Sequence, residues 1–175
     1  MTAARRWGVT AAGLVVAAAI LLAGCSSSGT GIQTPYGSTT TSLEHGSYSE
    51  VKAGNVSGLG AVVVDGKGIT LYMYATDVRG QPSRCYGICA TQWPPYVLHP
   101  GTTKPTAGPG IESGLLGTVR RTDGQLQVTY NGWPLYFWPP DTNPGMATGQ
   151  HLTNAGGLWY VVDPVTGDPI TTATT

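Results

Sequence analysis

The sequence writes one aromatic phrase twice: LYMYATD, Leu71 to Asp77, and LYFWPPD, Leu135 to Asp141. Both read Leu-Tyr-x-aromatic-x-x-Asp, and their tyrosines stand 64 residues apart. More repeats with them. A turn dipeptide precedes each phrase, Asp65-Gly66 and Asn131-Gly132, and a tryptophan follows each, Trp93 and Trp159. Each tryptophan opens an apolar run that meets a proline, WPPYVLHP and WYVVDP. The unit is hairpin, aromatic strand, Asp, long loop, Trp strand, in copies at about 59–100 and about 116–164. Two copies are few for a solenoid, so the repeat predicts a closed pseudo-twofold fold.

The local signals are those of strands. GAVVVDGKGITLYMY holds two strand-like runs around DGKG. TVRRTDGQLQVTYNGWPLYFW holds three, broken at Asp123-Gly124 and Asn131-Gly132. Asn-Gly suits a type I′ turn, in which both central residues need positive φ. LWYVVDP reads as a last strand stopped by Asp163-Pro164. Gly- and Pro-rich loops span residues 100–110 and 139–157. No helix is expected beyond a short turn at Gly114-Leu115-Leu116. Short strands joined by turns predict an all-β fold: a small antiparallel barrel, sandwich or meander built from two pseudo-symmetric repeats.

Alternate residues of a strand share a face. Tyr72 and Tyr74 therefore oppose Leu71, Met73 and Ala75, and Tyr136 and Trp138 oppose Leu135 and Phe137. Two readings follow. In the structural one, aliphatic residues fill the core, the aromatics cover a second face, and Asp77 and Asp141 cap the next turn by accepting backbone N–H bonds. In the functional one, the rings form a shelf with one carboxylate in each half, suited to sugars, flat cofactors or a protein partner.

The ends of the chain speak about location. Arg5 and Arg6 precede an almost wholly apolar stretch, Trp7 to Gly24, the layout of an export signal over residues 1–24. LAGC, Leu22 to Cys25, resembles the lipobox of bacterial lipoproteins, which implies cleavage before Cys25 and a diacylglyceryl group on its sulfur. Two or three acyl chains hold a protein stably on a bilayer. Residues 25–53 read as a Ser/Thr/Gly-rich tether, 54–168 as the folded domain and 169–175 as a loose tail. Cys85 and Cys89 form a C-x3-C pair. Their spacing matches neither the usual redox motif nor a zinc site, and two neighbouring thiols in an exported chain read as a structural disulfide.

Charge and residue supply narrow the function. Nine Lys and Arg balance nine Asp and Glu, and two of the basic residues, Arg5 and Arg6, sit in the leader. With no basic cluster to track phosphates, nucleic acid is not an expected partner. No serine sits in a G-x-S-x-G elbow, and Asp after a strand is more often a turn residue than half of a glycosidase pair. No enzyme is expected, and no catalytic residue is assigned. His99, His151, Met73 and Met146 are an alternative donor set for copper or haem. Their spacing fits no recognised pattern, so the leading expectation has no cofactor.

LYMYATD and LYFWPPD, with CYGICATQWPP, YNGWPLY and GLWYVVDP, resemble the secreted-repeat lipoproteins of bacteria, a family described by its Tyr-x-(Phe/Trp/Tyr)-x-x-Asp motif. The resemblance covers roughly Leu59 to Pro164. It implies an exported, membrane-anchored domain with paired repeats, and it supplies no catalytic residue. The expectation is a non-enzymatic envelope lipoprotein outside the cytoplasmic membrane, its lipid in the bilayer and its domain facing an envelope protein or glycan. The alternative is a redox accessory binding copper or haem. The sequence sets no oligomeric state.

Overall fold

The structure is a computed structural model that describes Gly8 and residues 49–172. The leader, Cys25 and the tether up to residue 48 lie outside the described residues. Each repeat opens with a hairpin. In the first, β1 (Glu50–Val56) pairs antiparallel with β2 (Gly60–Asp65). In the second, β5 (Leu116–Arg120) pairs antiparallel with β6 (Leu126–Tyr130). The aromatic strands come next: β3 (Leu71–Tyr74), and β7 (Trp133–Pro134) with β8 (Tyr136–Phe137). Asn131 and Gly132 have φ of 47° and 76°, the positive pair that the Asn-Gly turn requires.

The two aromatic strands run antiparallel, with Tyr72 opposite Tyr136. These are the equivalent tyrosines of the two phrases, so the pseudo-twofold axis passes through this pair. The tryptophan strands are exchanged across it. β10 (Gly157–Val161), from the second repeat, pairs with β3 of the first, Trp159 facing Tyr74 and Val161 facing Tyr72. The Trp93–Leu98 segment of the first repeat lies along the second: Pro95 bridges Tyr136, and the Phe137 N–H donates to Pro94 O at 2.9 Å. The hairpins follow the same rule. Val63 N–H donates to Val162 O and Val128 N–H to Tyr96 O, each three residues past a repeat tryptophan.

Period-two alternation then fills two cores, one on each side of the central strands. Leu71, Met73 and Leu135 join Val51, Val63, Tyr96, Leu98, Val128, Tyr130 and Val162 in one. Tyr72, Tyr74 and Tyr136 join Val56, Val62, Val64, Cys85, Trp93, Trp159 and Val161 in the other. Both faces of β3 are buried.

The fold is all-β, and several expectations are corrected in detail. Among the described residues its sheets are three small ones, ordered β2-β1-β4, β8-β3-β10-β9 and β5-β6-β7, and no barrel closes. β4 (Thr106–Ala107) lies parallel to β1, and β9 (Thr153–Asn154) pairs with β10. A helix that the sequence reading missed, α1 (Ile88–Gln92), begins inside the disulfide loop; the expected short turn is a 3-10 helix at Ser113–Leu115. The tether's end at residue 53 comes too late, because β1 opens at Glu50 and buries Val51 completely. The tail starts too early: Pro169 bridges Val162 and Ile170 N–H donates to Val161 O, so residues 169–170 belong to the domain.

Candidate functional site

The residues singled out by the repeat meet in one place. Four rings stack in the order Tyr74, Trp159, Trp93, Trp138. Trp93 and Trp159 are 3.9 Å apart between centroids and 3° from parallel, with Tyr74 on Trp159 at 4.2 Å and Trp138 on Trp93 at 4.3 Å. The order reads the same from both ends, because each tryptophan lies on the fourth residue of the other repeat's phrase. Tyr72 meets Trp93 edge-on at 5.4 Å, and Tyr136 meets Trp159 edge-on at 5.1 Å. The edge-on contacts have the T-shaped geometry that the ring quadrupole favours. Trp93, Trp159, Tyr72 and Tyr136 are wholly buried, and only Trp138 keeps partial exposure. The phrase therefore builds an interior column rather than an open shelf.

The carboxylates cross the axis as well. The Tyr72 hydroxyl donates to Asp141 Oδ2, and the Tyr136 hydroxyl donates to Asp77 Oδ2. Each Asp turns its other oxygen to its own loop seven residues on: Asp77 Oδ1 accepts the Arg84 N–H at 2.7 Å, and Asp141 Oδ1 accepts the Thr148 N–H at 3.0 Å. Each Asp accepts a backbone N–H from farther along its loop than the turn directly after it, and the sequence reading missed the inter-repeat bond. Burial raises the Asp77 carboxyl above the ordinary carboxylate range, against the opposing pull of the Tyr136 hydroxyl, the Arg84 amide and the Arg121 and Arg84 charges. Burial first, and then the facing carboxylate, push the Tyr72 and Tyr136 phenols well above their ordinary value.

A polar network extends this pair on the first-repeat side. Tyr136 Oη also lies 2.6 Å from Ser83 Oγ, which accepts the Cys85 N–H. Arg121 is buried and donates to Cys85 O at 3.0 Å and to Gln127 Oε1 at 2.8 Å, with its guanidinium over the Tyr86 ring. Gln127 in turn donates to Leu135 O. A buried arginine persists only when its donors are satisfied. Nothing in TVRRTDG marks Arg121 rather than Arg120 as the buried one except strand alternation. Gly149 was missed too: a Cβ there would stand 2.8 Å from Trp93 Cη2 and 2.9 Å from Tyr72 Cζ, so the column needs glycine.

Cys85 and Cys89 are joined, Cα to Cα 5.2 Å. Cys25 lies outside the described residues. Of the alternative metal donors, Met73 is packed inside the first core, His151 is exposed against Tyr160 and Thr171 O, and His99 is exposed beside Pro100; Met146 offers its carbonyl to Thr70. Among the described residues no group of three or more His, Cys, Asp or Glu could hold a metal ion. Away from the column, a groove of about 470 Å³ opens between the segment 103–107 and β5.

A family model described as a secreted repeat of unknown function matches the chain twice, at residues 56–96 and 117–163, together half of its length. No curated protein and no solved structure matches. The matched segments run from the first hairpin to the tryptophan strand in each half, the unit that is interlocked at the Tyr72–Tyr136 axis, and the chain belongs to the secreted-repeat family, of which it carries two copies.

Proposed function

We propose that this chain is a non-enzymatic interaction module of the cell envelope, held outside the cytoplasmic membrane by lipid on Cys25 and directed at an envelope protein or glycan. The observation that supports it is the reciprocal Tyr–Asp pair. Asp77 and Asp141 are each only 4 % exposed, and both oxygens of each are engaged by a tyrosine hydroxyl and a loop amide. A general acid or base must reach a substrate proton, whereas these carboxylates hold two repeats together. The family's secreted character and the LAGC sequence support the location.

Two measurements test the reading. In fractionated cells the native chain should sediment with membranes, and Cys25→Ala should leave them; equal partition of both sinks the anchor. Purified chain should release no product from peptidoglycan or envelope glycans. Turnover that Asp77→Asn abolished in a folded protein would overturn the non-enzymatic role.

A further inference from the structure

The pseudo-twofold symmetry fails at the outer edges of the two hairpins. The outer edge of β1 is filled by β4, which comes from the linker between repeats: Thr106 N–H donates to Ser49 O and Gly108 N–H to Val51 O. The equivalent edge of β5 has no strand beside it among the described residues, since β5 pairs with β6 alone. The groove of about 470 Å³ lies along that edge. Thr103, Lys104, Pro105 and Ala107 form one wall, and Ser113 with Leu116, Gly117 and Thr118 forms the other. Its volume is within the range of ordinary ligand sites.

Both walls are strand edges whose outward groups can be identified. Because Thr106 and Gly108 turn their N–H groups to β1, alternation turns the N–H and C=O of Ala107 into the groove. Across it, Asn131 N–H donates to Leu115 O, which makes 115, 117 and 119 the residues bonded to β6. Thr118 and Arg120 therefore turn their backbone groups outward, whereas the Leu116 N–H is already bonded to Ser113 O. We propose that this groove binds an extended, acidic segment of a partner protein as an added strand, joining β2-β1-β4 and β5-β6-β7 into one sheet. The proposal rests on the interaction reading above and gives that reading its surface.

Two arguments select this occupant. Facing strand edges are both satisfied only by a strand with two free edges, which is an isolated extended peptide. The β5 of a second copy has one edge committed to its own β6, so it answers one wall and not the other. Charge gives the second argument. Lys104 has no ion-pair or hydrogen-bond partner among the described residues, while the walls contribute no carboxylate. An acidic side chain on the added strand would supply its counter-charge.

The test pans a phage-displayed library of random octapeptides on the mature chain, then titrates the enriched peptides in solution. Thr118→Pro removes an outward N–H at a position where an edge strand tolerates proline. Lys104→Glu reverses the charge on the opposite wall without touching a strand bond. The expected result is enrichment of acidic sequences with alternating apolar residues, whose Kd rises tenfold or more in both variants while their circular dichroism matches the native chain. Enrichment no greater than on an unrelated protein overturns the proposal, as does unchanged affinity in either variant. Deletion of residues 26–48 that tightened peptide binding tenfold would assign the groove to the chain's own tether, and a dimer dissociated by the peptide would assign it to a second copy; each overturns the partner. Turnover on a glycan would remove the interaction reading while leaving peptide binding measurable, so the two failures are distinct.

Discussion

Trp93 lies flat on Trp159, centroids 3.9 Å apart and planes 3° from parallel, although the two come from different repeats. Each indole comes from a segment paired with the aromatic strand of the other half and meets the tyrosine of its own half edge-on. Neither half can complete its aromatic core alone, so the domain should unfold as one unit. Trp93→Ala should cost about 3–5 kcal/mol, the usual range for a buried large aromatic. Urea unfolding followed separately by fluorescence and far-ultraviolet dichroism should give one coincident transition; two transitions would show repeats that fold independently.

The same contact predicts a spectroscopic signature. Two parallel indoles at this distance should couple their excited states and split the near-ultraviolet dichroism bands. Trp159→Phe or Trp93→Phe alone should abolish the split, whereas Trp133→Phe, outside the column, should leave it. Persistence of the split after either column substitution would contradict the stack.

Gly149→Ala tests packing from outside the motif. The added methyl would press on Trp93 and Tyr72 at 2.8–2.9 Å, and overpacking of this kind costs about 1–3 kcal/mol. A shift in urea midpoint of that sign, with the slope unchanged, is the expected result; an equally stable variant would mean that the loop carrying Gly149 yields.

The crossed hydrogen bonds predict a coupling. Tyr136→Phe leaves Asp77 without one buried donor, a loss of about 1–3 kcal/mol. Asp77→Asn should cost less after Tyr136→Phe than in the native chain, because the two groups share one bond. Additive free energies in the double-mutant cycle would deny that bond its energetic role.

The pH dependence of Asp77 has a definite sign. Burial raises its folded-state carboxyl above the ordinary 3.8, so the folded chain holds that proton more tightly than the unfolded one. The stability Asp77 contributes is full below the unfolded value and is lost as pH rises through the folded value. The native chain should therefore lose stability relative to Asp77→Asn as pH climbs from below 3.8. A carboxyl carbon shift that titrated at or below the ordinary value would reverse the sign. At the alkaline end, the raised Tyr72 and Tyr136 phenols should ionise only as the protein unfolds, visible as a late step in phenolate absorbance.

The disulfide closes a short loop, and the chain-entropy relation assigns such a loop about 2 kcal/mol. Cys85→Ser with Cys89→Ser should lose about that much or somewhat more, because Cys85 O also receives Arg121. Free-thiol titration of the unreduced domain should find neither Cys85 nor Cys89 reactive.

What the sequence by itself determined is local. Asn131-Gly132 dictates its turn because positive φ at both positions is open to few other pairs. Alternation decides that Tyr72 and Tyr74 share a face opposed to Leu71 and Met73, and that grouping is the boundary between the two cores. The close spacing of Cys85 and Cys89 permits their bridge, and the duplicated phrase announces a twofold domain. Only the tertiary structure decided which repeat completes which. A tryptophan strand paired within its own repeat or with the other presents the same residues, the same period and the same turns. The choice between them depends on long-range packing, and with it came the crossed Tyr–Asp bonds, the buried Arg121 and the glycine under the rings. The shelf became a column for the same reason. A strand's pattern tells which side chains face together, while what stands opposite them is set by chain arriving from 66 residues away, as Trp159 does over Trp93.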